Sequence, residues 1–212
     1  QYLRLFITIY YFVYNYIYNF ITLHMEKIDL KKIILCLLLF NFNSIIVANN
    51  IQIETNILID ISEQRLYLLE NEKIISSFPI SSSKYGEGNT ENSFKTPLGM
   101  HSIKDMIGDG TPLNTIFISR IDTKRTASII KNNLDTEDDL VTSRIIWLDG
   151  EEEGENKGIG VDSYNRYIYI HGTHEEGLIG QKASHGCIRM FNDDVILLYN
   201  QVQLGTKVYI RT

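Results

Sequence analysis

"NILIDISEQRLYLLENEKIISSFPI", residues 56–80, holds three short apolar runs separated by polar breaks. Ile57, Ile59 and Ile61 alternate with other residues in the first run, and Leu66 and Leu68 do so in the second. A period of two over so few residues places one set of side chains on one face, as in a half-buried strand. "ENEK" (70–73) reads as the turn into the third run. Further strands are predicted at 100–107, 115–121, 144–148, 166–172 and 206–211. Helical spacing occurs once. Val195, Leu198, Tyr199 and Val202 follow Asn192, which reads as an N-cap, with Asp193 and Asp194 at the positive end of the dipole and Gly205 past the end. Many strands and one helix predict a mainly β fold, a sandwich or barrel with one or a few short helices. No repeat or linker interrupts 50–212, which reads as one domain.

Two stretches resist strand assignment. "SSSKYGEGNTENSFKTP" (81–97) is rich in Gly, Ser and Asn, and 148–165 is acidic and glycine-rich. Loops this long in a compact domain are functional or mobile, and 81–97 is expected to act as a lid. Glu151–Glu153 reads as a solvated face.

The chain has 212 residues, 44% of them hydrophobic and 22% charged, a globular composition. Residues 1–24 are nearly all aromatic or β-branched, and the first methionine is Met25. Lys27, Lys31 and Lys32 then precede the apolar run Ile33–Phe40, and Ile46-Val47-Ala48 supplies a cleavage-like site. This three-part order is that of a secretory signal peptide over 25–48. Residues 1–24 then read as a mis-called extension or hydrophobic segment, and 49–54 as a short mature N-terminus before a domain at 55–212. A pair of membrane helices is the rival reading, since 1–24 has the length of a span. Removing 1–48 takes away four basic and two acidic residues, so the exported form is more acidic than the full chain at −6. An acidic surface argues against nucleic acid or anionic lipid as a partner, leaving the N-terminal segment as the membrane contact.

Of two cysteines, Cys36 lies in the apolar leader, so Cys187 would stand alone after export. A leftover thiol in an oxidising compartment points to an intermolecular bond or a reactive residue, with an inert buried cysteine as the plain alternative. A thiol becomes a nucleophile beside a base, and His101, His171, His174 and His185 are the candidates. His171 ends an apolar strand, which would hold it rigidly, and the Gly172 carbonyl could orient its ring. Gly186 permits a tight turn before Cys187, where the backbone N–H groups of 185–187 could meet an oxyanion. His185 reads as a brace for that turn. Arg189 is either a surface charge or a clamp for a substrate carboxylate. Zinc held by His171, His174, His185 and Cys187 is a further reading, disfavoured because His-x-x-His follows a strand and His-Gly-Cys is cramped.

"HGTHEEGLIGQKASHGCIRM" (171–190) resembles the signature of the YkuD-type L,D-transpeptidases: His-Gly-Thr, a spacer ending in Ile-Gly, then Ser-His-Gly-Cys-Ile-Arg. "SKYGEGNTENSFKTPLGMHSI", "IGDG", "SRIIWLDG" and "GTKVYI" extend the resemblance across about 55–212. His174 stands where the family usually has asparagine. The resemblance implies a β-rich L,D-transpeptidase domain with Cys187 as nucleophile, His171 as proton acceptor and donor, and the Gly172 carbonyl orienting His171. It further implies an oxyanion hole at His185–Cys187 through Gly186, support from Ser184, and contacts from Arg189 and Thr173 to the substrate. The implied substrate is a peptidoglycan tetrapeptide stem, the product a thioester with loss of D-alanine, and the acceptor an amine on another stem or a lipoprotein. Water as acceptor would make it an L,D-carboxypeptidase, and a non-catalytic wall-binding module is the alternative of another class. No metal or other cofactor is implied, and the place of action is the periplasm or cell wall.

Overall fold

The computed structural model describes residues 2–23 and 54–212. The chain divides into two units, Gln1–Gln52 and Ile53–Thr212. The first contains helix α1 (Tyr2–Leu23), whose aromatic residues from Tyr10 to Tyr18 are exposed. No helix among the described residues is long and apolar enough to cross a membrane. The signal-peptide pattern at 25–48 lies outside the described residues, and of 49–54 only Glu54 is described.

The second unit is mainly β, as its alternation predicts. Its strands are β1 (Thr55–Asp60), β2 (Arg65–Glu70), β3 (Lys73–Pro79), β4 (Gly99–Ile107) and β5 (Thr115–Ile118). There follow β6 (Ile121–Thr126), β7 (Val141–Gly150), β8 (Tyr169–Thr173), β9 (Ile188–Met190) and β10 (Lys207–Arg211), with α2 (Asn192–Tyr199) before the last. They form one mixed 10-stranded sheet in the order β3-β2-β1-β10-β4-β7-β5-β6, from which β8 and β9 branch at β7. The pairs β1–β10 and β8–β9 are parallel.

Strand alternation sorts the apolar side chains into two cores. Ile57, Ile59, Leu66 and Leu68 join Ile146, Leu148, Ile170, Ile188, Val195 and Leu198 in the larger one. On the other face of β7 and β8, Ile145, Trp147 and Tyr169 form a smaller aromatic core with Phe117, and Cys187 packs against it. β7 is buried on both faces, which is why its sequence reads as a continuous apolar run. Its register shifts between Thr142 and Ile145 at Ser143, where φ is +62°. Such a bulge bends the strand and lets β8 follow one edge of β7 while β4 and β5 share the other.

Three local readings differ from the structure. The predicted strand 115–121 crosses a hairpin turn, because Ser119 and Arg120 take left-handed φ of +49° and +70° without the usual glycine or asparagine. The predicted strand 166–172 begins later, since Tyr167 is in a turn with φ +59°. Asn192 is the first helical residue, not the cap; Phe191 takes that place. The Asn192 side chain instead accepts from the hydroxyls of Thr142 and Ser143 at 2.6 Å each and donates to the Thr173 carbonyl at 2.7 Å. It therefore ties α2 to β7 and β8.

His101 on β4 is fully buried, donating from Nδ1 to the Gly99 carbonyl at 3.0 Å, with Ser163 Oγ 2.9 Å from Nε2. Burial holds its ring well below the ordinary value, to about 4. The unfolded chain takes up this proton near pH 6.5 and the folded chain near pH 4, so stability is full above pH 6.5 and declines toward pH 4. This ring alone accounts for about 3 kcal/mol of that decline. Melting temperature followed from pH 7 to 4.5 should fall, and His101→Gln should flatten the slope.

Candidate active site

In the parallel pair β8–β9, Ile170 lies opposite Ile188 and His171 opposite Arg189. Side chains alternate along a strand, so Ile170 and Ile188 point into the larger core while Tyr169, His171, Cys187 and Arg189 share the other face. The thiol and the imidazole are thus diagonal neighbours on one side of the sheet.

Each is held by backbone. His171 Nδ1 is 2.8 Å from the Gly172 carbonyl oxygen, and since a carbonyl only accepts, that nitrogen carries the proton and Nε2 presents its lone pair. Gly172 is required by close approach: a Cβ there would stand 2.5 Å from Asn192 Oδ1 and 2.8 Å from the Thr142 carbonyl. Half-buried Cys187 donates from Sγ to the Tyr167 carbonyl at 3.3 Å and accepts from the Tyr169 N–H at 3.4 Å. Gly186, at φ +122°, makes the left-handed turn that brings the chain into this position.

Burial pushes the Cys187 thiol up to about 12, and the Asp139 charge adds to the effect, while the Tyr169 N–H, Arg189 and Arg166 oppose it. Burial also lowers the His171 value, against the Asp139 charge and the Gly172 carbonyl. Both shifts favour a neutral thiol and a neutral imidazole over an ion pair. Alkylation of Cys187 by iodoacetamide should rise about tenfold per pH unit and continue past pH 9, where an ordinary cysteine levels off. A plateau near pH 7 would show a preformed thiolate.

The turn before the thiol is fixed from below. Ser184 is fully buried; its hydroxyl donates to the Cys187 carbonyl at 2.6 Å and accepts the Gly186 N–H at 3.2 Å. Of the three N–H groups expected to meet an oxyanion, that of Gly186 is thus engaged by Ser184. Those of His185 and Cys187 make no hydrogen bond among the described residues. Loop 81–97, expected as a lid, is bonded to this turn and to Arg189 near both of its ends. Ser81 exchanges backbone bonds with Arg189 at 2.9 Å, Lys84 N–H donates to Ser184 O at 3.0 Å, and the Thr96 hydroxyl donates to Gly186 O at 3.0 Å. Arg166 closes the far side through the Lys95 carbonyl at 2.6 Å.

Arg189 departs from the sequence reading as surface charge or substrate clamp. It is 1% exposed, and its guanidinium lies between Glu175 at 2.9 Å and Asp139 at 2.7 Å. Glu175 is itself buried and receives the Thr136 N–H and hydroxyl at 2.6 Å each. Burial works to raise the Asp139 value, but the Arg189 charge, with His171 and His185, holds it down to about 2. Thr173, also read as a substrate contact, is fully buried and accepts the Glu175 N–H at 3.1 Å. Both side chains are thus bonded within the protein. His185 Nδ1 is 3.0 Å from Asp139 Oδ2 and its ring lies against Tyr85 and Phe94. His174 is buried with Nε2 3.3 Å from the Thr136 hydroxyl. No three His, Cys, Asp or Glu side chains among the described residues are placed to hold a metal ion.

Residues 54–210 match the family model of the L,D-transpeptidase catalytic domain, YkuD. The chain belongs to this family. Relatives share shorter stretches. The Bacillus subtilis protein YqjB, named an L,D-transpeptidase, is 49% identical over 45 residues, 21% of this chain and 26% of its own length. YkuD of the same organism is 54% identical over 41 residues, 19% of this chain and 25% of its own. The chain thus aligns with about a quarter of the length of these relatives. An L,D-transpeptidase structure from Mycobacterium smegmatis superposes with a TM-score of 0.46 at 18% identity, covering 76% of this chain and 59% of that one. Within the family domain of this chain, the sequence signature falls on β8, the turn at 184–187 and β9; Glu175 from its spacer and Asp139 from outside it complete the site.

Proposed function

We propose that residues 55–212 form an exported cysteine L,D-transpeptidase acting on peptidoglycan stem peptides. The observation that carries this reading is the placement of Cys187 and His171 on one sheet face, with His171 Nδ1 bonded to the Gly172 carbonyl so that Nε2 can take a proton. Export is supported by the leader pattern at 25–48.

Cys187 Sγ attacks the carbonyl of the L-centre of the stem's diamino acid as its proton passes to His171 Nε2. Transfer and attack are coupled, because a free thiolate is disfavoured at this site. The N–H groups of His185 and Cys187 are free to stabilise the oxyanion. Collapse breaks the peptide bond, and the imidazolium gives its proton to the departing D-alanine amine. The thioester retains the acyl group. An acceptor amine, on a second stem or a protein lysine, then attacks it; His171 takes the amine proton and returns it to the leaving thiolate.

The test is incubation of the purified protein with a disaccharide-tetrapeptide, followed by intact mass. The expected result is an acyl adduct on Cys187 with stoichiometric release of D-alanine. Turnover with the thiol unmodified at every time point would sink the assignment. Competing amine acceptors against water in the same reaction separates cross-linking from hydrolysis.

A further inference from the structure

Arg120 is absent from the sequence signature and contacts Tyr169, whose backbone N–H bonds the Cys187 sulfur. It occupies the two-residue turn between β5 and β6, where both central residues adopt left-handed φ. The strain of a side chain in such a turn persists only where the surroundings enforce it. Its guanidinium lies 4.9 Å from the Trp147 ring centre and 5.1 Å from that of Tyr167, and NH1 is 3.3 Å from the Tyr169 hydroxyl. Trp147 is in turn stacked on Tyr164 at 4.1 Å and meets Tyr169 edge-on at 5.2 Å. This is a guanidinium laid on an aromatic platform, with one N–H bonded to a phenol.

The other arginines that surround the thiol have their charge or donors engaged. Arg189 is paired with Asp139 and Glu175, and Arg166 donates to the carbonyls of Gly88, Asn89 and Lys95. Arg120 has no carboxylate partner among the described residues, in a chain of net charge −6. Of the five guanidinium N–H donors, one bond to Tyr169 is made among the described residues, and a guanidinium over aromatic rings can still bind a carboxylate with two parallel bonds. Tyr169 links this cation to the reaction centre: its N–H bonds Cys187 Sγ and its hydroxyl takes the Arg120 bond.

We infer that Arg120 binds the free C-terminal carboxylate of the acyl-donor peptide, one residue beyond the bond that Cys187 breaks. Tyr169 carries both contacts, the sulfur at its backbone N–H and the guanidinium at its hydroxyl, which makes Arg120 the carboxylate-free cation tied to the thiol through one residue. Arg120 thereby selects donors that end immediately after the scissile bond, against those that are amidated or continue further. This rests on the transpeptidase reading above and adds to it the residue that reads the donor's end.

The experiment compares a tetrapeptide stem with a free terminal D-alanine carboxylate and the same stem as its C-terminal amide. The rate of Cys187 acylation is followed by intact mass for the protein, Arg120→Met and Arg120→Lys. The free acid should acylate the protein roughly 10- to 100-fold faster than the amide, the factor of one charge-assisted contact. Arg120→Met should bring the ratio of acid to amide rates close to one, and Arg120→Lys should recover part of the preference. Equal losses for acid and amide, or no loss for the acid, would overturn the inference. A second readout does not require acylation. Trp147 is the chain's one tryptophan, so binding at Arg120 should change its emission. In Cys187→Ser the acid should perturb that emission and the amide should not, with the difference lost when Arg120→Met is added. If neither peptide acylates the intact protein, the transpeptidase reading fails while this titration still judges the carboxylate site; identical titrations with acid and amide refute it.

Discussion

Cys187→Ser is expected to abolish acyl-enzyme formation and to reduce turnover by about a thousandfold or more, the loss typical of removing an intact nucleophile. The thiol is already held as the neutral form, with its value pushed up to about 12. A hydroxyl is a weaker acid still, and His171 is itself made less basic by burial, so coupled proton transfer has little driving force in the variant. Structure should survive. Serine is slightly smaller, the site is half-buried, and a hydroxyl keeps a donor for the Tyr167 carbonyl and an acceptor for the Tyr169 N–H. The melting temperature should move by no more than about 2 °C, since only a small change in packing is involved. Intact mass after incubation with the stem peptide and a calorimetric scan check both halves. Residual turnover well above the expected level would place the nucleophile elsewhere.

Arg189→Met should have the largest effect on stability. It strands the buried carboxylate of Glu175 and removes one partner of Asp139. Breaking a buried charge pair from one side costs about 3–5 kcal/mol, which in a domain of this size lowers the melting temperature by roughly 10 °C. Adding Glu175→Gln should restore part of the loss, because the uncompensated charge is then gone. A substrate-clamping arginine would behave differently: KM would rise and the melting temperature would hold. Calorimetry and steady-state kinetics on the same preparations separate the two.

The strands whose two faces differ were legible from their own residues. Ile57, Ile59, Leu66 and Leu68 alternate in sequence and are all buried. β6 was not, because "IDTKRT" is an exposed edge strand with no apolar face to reveal it. β9 is only Ile188–Met190, too short for a period to register. The histidine and cysteine could be found because a glycine-flanked thiol and a strand-end imidazole carry a recognisable chemistry in the sequence itself. Asp139 and Glu175 could not: acids in polar loops look solvated until the tertiary fold buries an arginine between them. The burial of Arg189 was illegible for the same reason, since it is a property of its partners. Arg120 carries no local signal at all, its turn lacking the residues that usually mark a hairpin.

The position of β10 bears on when the domain can form. Lys207–Arg211 is synthesised after every other strand, yet it inserts between β1 and β4, joining the opening hairpins to the rest of the sheet. Until this piece docks, the two halves have unpaired edges facing a gap, and pairings this distant in sequence close slowly. The sheet therefore closes in one late step, when the strand that bridges both halves finds its two neighbours.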